Sequence, residues 1–173
     1  NWKLLVEGGL ESYHFKIAHR KTIGSLFADT TSTFARIGDH IRSVLPRASI
    51  RELEGAPDEA WKLLKHSNVL YTLSPNASIL AQDGHFALIL MLPVAPDSTR
   101  IELLTVGRPV PEGERGERVQ AFLAANHRFT VTTLEEDFVL AEEIQRGLAS
   151  GANTTLRMGC LLYTSPSPRD NRV

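Results

Sequence analysis

Cysteine is almost absent from this chain of 173 residues, with Cys160 standing alone. One thiol can form neither an intrachain disulfide nor a cysteine-rich metal cluster. An excess of charge is missing too, because 19 Lys and Arg residues face 20 Asp and Glu residues for a formal charge of -1. Without a basic field nothing holds a polyanion, which argues against nucleic acid as a partner. Long apolar runs are also lacking. The longest, Phe86 to Ala95 with Pro93 inside it, falls well short of the roughly 20 residues that a membrane span needs, and no basic-then-apolar leader precedes Asn1. A soluble protein in a reducing, cytoplasmic setting is expected, with no membrane partner. The chain opens on Asn1 without an initiator Met, as if inside an element, so truncation at the N-terminus is expected as well.

The residues that are present, 42% hydrophobic and 23% charged, suffice for one core and one domain. Asn1 to about Leu10 is rich in helix formers. From Ser32 onward the pattern predicts strands near Phe34–Ile37 and His40–Val44, with Asp39-His40 or Pro46 as bends. Asp58–Lys65, with Pro57 before it and two acids in its first turn, predicts a short helix. Strands follow at Val69–Leu73, Ala77–Leu80, Phe86–Leu92 and Ile101–Val106, separated by turns at Pro75-Asn76, Gln82-Asp83-Gly84 and Pro93–Ser98. Two late helices are expected, Glu117–Asn126 and Glu135–Leu148, the second closed by Gly147 and Gly151. The class is α+β, an antiparallel sheet with helices gathered before and after it. The tail CLLYTSPSPRDNRV, residues 160–173, turns abruptly to Ser, Pro and Arg without periodicity and reads as a non-native appendage, leaving residues 1–159 as the domain.

Chemistry concentrates in NWKLLVEGGLESYHFKIAHR, Asn1 to Arg20, where His14 and His19 follow Glu7 and Glu11. Two imidazoles and one carboxylate form the facial triad that binds ferrous iron and leaves positions open. On a regular helix five residues rotate by about 500°, so the two rings would point roughly 140° apart. A helix must therefore end or bulge between them if they share an ion. By spacing alone, two unrelated histidines are the better explanation of the pair. His40 beside Asp39 and the isolated His66, His85 and His127 have no partner at metal-ligand spacing.

Asn1-Trp2-Lys3, Glu7 and Glu11-x-Tyr13-His14-x-x-x-x-His19 together resemble the iron-binding signature of the large subunits of Rieske non-haem iron oxygenases, the aromatic-ring-hydroxylating dioxygenases. The resemblance implies that His14 and His19 are iron ligands and that Glu11 is the acidic bridge through which electrons reach the iron from a neighbouring subunit. It places the third ligand, a carboxylate, in EEDFVLAEEIQRGL, Glu135 to Leu148. Helical geometry favours Asp137, which lies within about 20° of Ile144 and Leu148 on the apolar stripe, whereas Glu136 falls roughly 100° to one side. The competing explanation is that Glu135–Asp137 complement the dipole of a helix starting near Thr132 or Thr133. Two departures stand out: Gly8-Gly9 where many members have Asn-Phe, and Arg20 where many have Pro.

The resemblance further implies a helix-grip fold, a curved antiparallel sheet around a C-terminal helix enclosing an apolar pocket. It implies a mononuclear Fe(2+) and a 2Fe-2S Rieske cluster on a separate N-terminal domain, because no Cys-x-His motif occurs here. The implied partners are dioxygen, a small organic and often aromatic substrate, a reductase or ferredoxin, and further subunits in a homo- or hetero-oligomer. The implied reaction is ring hydroxylation or oxidative demethylation, with this segment inactive alone. An apolar-ligand carrier on the same scaffold and a metal-dependent hydrolase are the alternative functions.

Overall fold

The computed structural model describes residues 1–28 and 31–152. The expected appendage at residues 160–173 lies outside them. A helix, α1 (Trp2–Gly8), starts at Asn1, whose side chain accepts a hydrogen bond from the Lys3 N–H, and buries Val6. After it comes α2 (Phe15–Ala18), a single turn. A six-stranded sheet follows: β1 (Thr33–Ile37), β2 (His40–Pro46), β3 (Ser67–Leu73), β4 (Ala77–Gln82), β5 (His85–Ala95) and β6 (Ser98–Gly107). The order is β1-β2-β3-β4-β5-β6 and each pairing is antiparallel, so every strand lies beside its sequence neighbour.

Alternation divides the sheet into two faces. The rows Leu70–Leu80–Ala87–Thr105 and Met91–Ile101 point to one side. On that side lies the last helix, which spans Glu114–Ala149; Thr105 Oγ1 meets its His127 Nδ1 at 3.0 Å and the His85 ring stands edge-on to its Phe122. Leu88 and Leu90 of β5 point the other way, opposite Ile79, Ala77 and Leu104. The unbroken apolar run of β5 therefore separates into cavity-facing Ile89 and Met91 and outward Leu88 and Leu90, a division that the sequence pattern could not make. Buried Ile41, Leu45, Val69, Ala87 and Met91 anchor the sheet.

Three expectations need correction. The sequence predicts two late helices, but the chain forms one helix of 36 residues. The β-branched run Thr130–Thr133 lowers intrinsic helix propensity. Tertiary contact outweighs it, and Thr130 and Thr133 bond back to the Asn126 and Phe129 carbonyls. The expected helix over Asp58–Lys65 is instead a 3-10 turn at Asp58–Ala60, extended residues at Trp61 and Lys62, and the single turn α3 (Leu63–His66). Trp61 and Leu63 remain more than half exposed, so no apolar face supports a continuous helix there. The turn expected at Pro93–Ser98 shrinks to Pro96-Asp97, because β5 continues to Ala95 through an irregularity between Pro93 and Ala95. Proline lacks the N–H needed for a regular ladder. The long helix, α4 (Glu114–Ala149), ends with Ser150 at the C-cap and Gly151 at φ 68°, a left-handed conformation suited to glycine.

Candidate metal centre

His14 and His19 bracket α2, one as its N-cap and the other as its C-cap. The turn ends at His19, whose φ of -101° and ψ of 26° leave helical geometry. Their ring centroids are 5.0 Å apart, and Phe15 packs edge-on against both and against Phe27. The return of the chain after His19 is tight: the N–H groups of Thr22 and Gly24 both donate to the His19 carbonyl, at 3.0 and 2.8 Å. Gly24 is buried, and a Cβ there would lie 2.9 Å from the carbonyl oxygens of both Phe15 and His19. Only glycine admits that approach. The sequence reading passed over Gly24 because nothing local marks it.

Asp137 reaches the pair from the middle of α4. Thr130, Thr133, Asp137, Ala141 and Ile144 recur at three- and four-residue steps along one cavity-lining face. The dipole explanation for Asp137 fails here, since no helix begins within 20 residues before it. Asp137 Oδ1 lies 3.5 Å from His14 Nε2 and 3.1 Å from His19 Nε2. One donor atom from each of the three residues falls within 4.8 Å of the others. With metal–ligand bonds of about 2.1 Å at right angles, adjacent donors sit about 3 Å apart, so the donor set fits one ion at a shared corner.

Each imidazole is held from behind by its own acid. Glu11 Oε1 bonds to His14 Nδ1, and its second oxygen accepts from the N–H groups of Tyr13 and His14. Glu136 Oε2 bonds to His19 Nδ1 at 2.8 Å and accepts from Thr22 Oγ1 at 2.6 Å. An acid on Nδ1 fixes the proton there and leaves Nε2 as the ligating nitrogen. The role of Glu136 is absent from the sequence reading, which considered it only as an alternative ligand. The offset of roughly 100° from Asp137 is what lets it reach the back of His19 instead of the front.

Electrostatics agree with a cation site. Burial lowers the pKa of His14, but its bonds to Asp137 and Glu11 and their negative charges outweigh burial and push it up to about 9. For His19, too, burial lowers the pKa, and the hydrogen bond and charge of Asp137, with help from Glu136, raise it on balance. Asp137 is raised by burial but held below the usual carboxylate range by His14 and His19. Glu136 is held low first by Thr22 and then by His19.

The other histidines serve the scaffold. His40 Nδ1 accepts from the Ser74 N–H, His66 Nδ1 lies 3.2 Å from Ser49, and His127 meets Thr105. The cluster opens on a cavity of about 690 Å³ between the sheet, α1 and α4, lined mostly by apolar side chains.

Residues 1–167 match the family model "Ring hydroxylating alpha subunit (catalytic domain)". The chain belongs to this family, and its α+β architecture, an antiparallel six-stranded sheet with a C-terminal helix, is the fold of that catalytic domain. Among solved structures it resembles the quaternary ammonium Rieske monooxygenase CntA in complex with an inhibitor, at 18% identity and TM-score 0.63 over 86% of this chain and 37% of that one. A structure of a quaternary ammonium Rieske monooxygenase, concerned with carnitine oxidation by gut microbiota and inter-subunit electron transfer, aligns at 17% identity and TM-score 0.57, covering 86% and 38%. The chain thus spans less than two fifths of these proteins. No curated protein sequence matches it. Among the described residues no helix is long and apolar enough to cross a membrane.

Proposed function

We propose that residues 1–159 form the catalytic domain of an oxygenase in which His14, His19 and Asp137 hold a mononuclear ferrous ion. The observation that carries this reading is the convergence of two imidazole Nε2 atoms and one carboxylate oxygen at the wall of an apolar cavity. Bound there, the iron supplies the open positions and the redox chemistry that activate dioxygen for hydroxylation or oxidative demethylation of a small organic substrate. The chain's own residues position that chemistry: Glu11 and Glu136 fix the two imidazoles, and the apolar lining excludes water and holds the substrate.

Electrons come, in this reading, from a 2Fe-2S Rieske cluster on another domain, fed by a reductase or ferredoxin. Glu11, hydrogen-bonded to His14 and only slightly exposed, is the bridge from the neighbouring subunit of an oligomer. The inter-subunit electron transfer described for a structural relative supports that arrangement. Full-length protein supplied with iron and reductase is expected to take up dioxygen only when substrate is present and to stop when the iron is chelated. Substrate-dependent uptake that survives complete iron removal would refute the proposal.

Glu136→Ala is expected to lower iron affinity by about 10- to 100-fold, the usual cost of losing a partner behind a metal-bound histidine, and Glu136→Gln, which keeps an acceptor oxygen, to recover part of it. Competition titration with a chelator measures both. Equal affinities in all three proteins would show that the Glu136–His19 bond is irrelevant to the ion.

Proton competition gives a second expectation. A His14 pKa raised from 6.5 to about 9 stabilises the metal-free fold fully below pH 6.5, and that contribution is lost as pH rises through about 9. Iron needs the neutral imidazole, so its affinity moves the opposite way, rising about tenfold per pH unit for each proton displaced. Thermal melts of chelated and iron-loaded protein between these limits should diverge as pH increases. Parallel curves would contradict the assignment.

A further inference from the structure

Outside the metal cluster, the cavity lining carries charge at one place, Arg47, just past the end of β2. Its backbone is fixed from two sides, by a bridge to Phe27 and by donation of its N–H to the His66 carbonyl at 2.8 Å. Its guanidinium is held in one orientation, Nε and Nη2 donating to Asn68 Oδ1 at 3.0 and 2.8 Å. Asn68 is buried at 6% exposure on β3, opposite Leu45. An amide oxygen orients a guanidinium without neutralising it. Among the described residues no carboxylate lies within ion-pairing distance of Arg47. Among the described residues, then, a half-buried guanidinium held in one orientation lines a mostly apolar cavity without a neutralising charge, an arrangement that an arriving anion would stabilise.

We propose that this cavity binds an organic carboxylate, its anionic group on Arg47 and its apolar body against the aliphatic floor of Leu70, Leu80 and Met91. The inference rests on the cavity being the substrate site of the oxygenase, and it names the substrate class. Arginine offers its remaining N–H groups as a planar fork matched to a carboxylate. A substrate with only a quaternary ammonium group has no counter-charge beside Arg47, and a neutral hydrocarbon leaves the guanidinium unpaired.

The test is calorimetric binding to the iron-loaded, full-length protein of three acids, benzoate, phenylacetate and cyclohexanecarboxylate, each against its amide, with phenyltrimethylammonium as the cationic probe. At least one acid should bind about 10-fold or more tighter than its amide. Arg47→Gln should abolish that preference. So should Asn68→Asp, which leaves Arg47 in place but neutralises it and guards against a folding defect in the first variant. No acid preferred over its amide, a preference that survives both variants, or tighter binding of the cation overturns the proposal. Iron content measured on the same samples separates the two readings: iron bound without acid preference removes this inference alone, whereas acid preference without iron binding removes the oxygenase reading and leaves the anion site.

Discussion

Under the proposed oxygenase function, Asp137→Ala is expected to strip the protein of iron and abolish turnover, leaving the proposed Rieske absorbance of the full-length enzyme and the fold of this domain in place. The expectation follows from the donor count. With the carboxylate gone, His14 and His19 remain as two neutral ligands on a single turn, and the site loses both a bond and the negative charge that offsets a dication. Losing a partner behind a ligand costs about 10- to 100-fold in metal affinity, so losing the ligand itself should cost more than 100-fold. Asp137 packs no apolar core; it lies at the cavity wall, and its side chain is 30% exposed. Its ion pairs with His14 and His19 are lost, however, so the metal-free variant should melt below metal-free wild type at neutral pH, with the gap narrowing as pH rises through about 9. Iron retained at wild-type stoichiometry in the variant would remove Asp137 from the site.

Gly24→Ala should damage the same site without touching a ligand. The added methyl would meet the Phe15 and His19 carbonyl oxygens at 2.9 Å and the Arg20 Cα at 3.1 Å. All three are backbone atoms that cannot swing aside, so the turn carrying both histidines must open. Overpacking of this kind costs about 1–3 kcal/mol of stability. The displacement of His19, only 1% exposed, should also lower iron affinity markedly. Gly147→Ala is the control: nothing lies within 4 Å of a Cβ there, and in the last turn of α4 alanine should be neutral or stabilising by up to about 1 kcal/mol. Measuring melting temperature and iron content of both variants separates a local backbone constraint from general intolerance of alanine for glycine.

These two variants also mark how far the sequence could be read. The strands were legible because turn residues separate apolar runs of strand length, and all six expected strands lie inside observed ones. The need for a helix to end or bulge between His14 and His19 followed from 100° per residue, and α2 ends at Ala18, just before His19. Asp137 was legible as an inward carboxylate from the same arithmetic. Its stripe is less buried than that arithmetic implied, since Ile144 and Leu148 stay exposed at 50% and 38%. Features that depend on distant partners were not legible. Glu136 acts on a histidine 117 residues away, Arg47 is oriented by Asn68 on the next strand, and Gly24 is constrained by carbonyls whose direction only the folded turn defines. The continuity of α4 was hidden for a related reason, because local propensity breaks at Thr130–Thr133 and only packing restores it.

The proposed iron site is tested most directly by anomalous diffraction at the iron absorption edge from crystals of the iron-loaded protein. One strong peak is expected, bounded by His14 Nε2, His19 Nε2 and an Asp137 carboxylate oxygen and open toward the cavity. Iron bound elsewhere, or no iron between these three side chains in loaded protein, would contradict it.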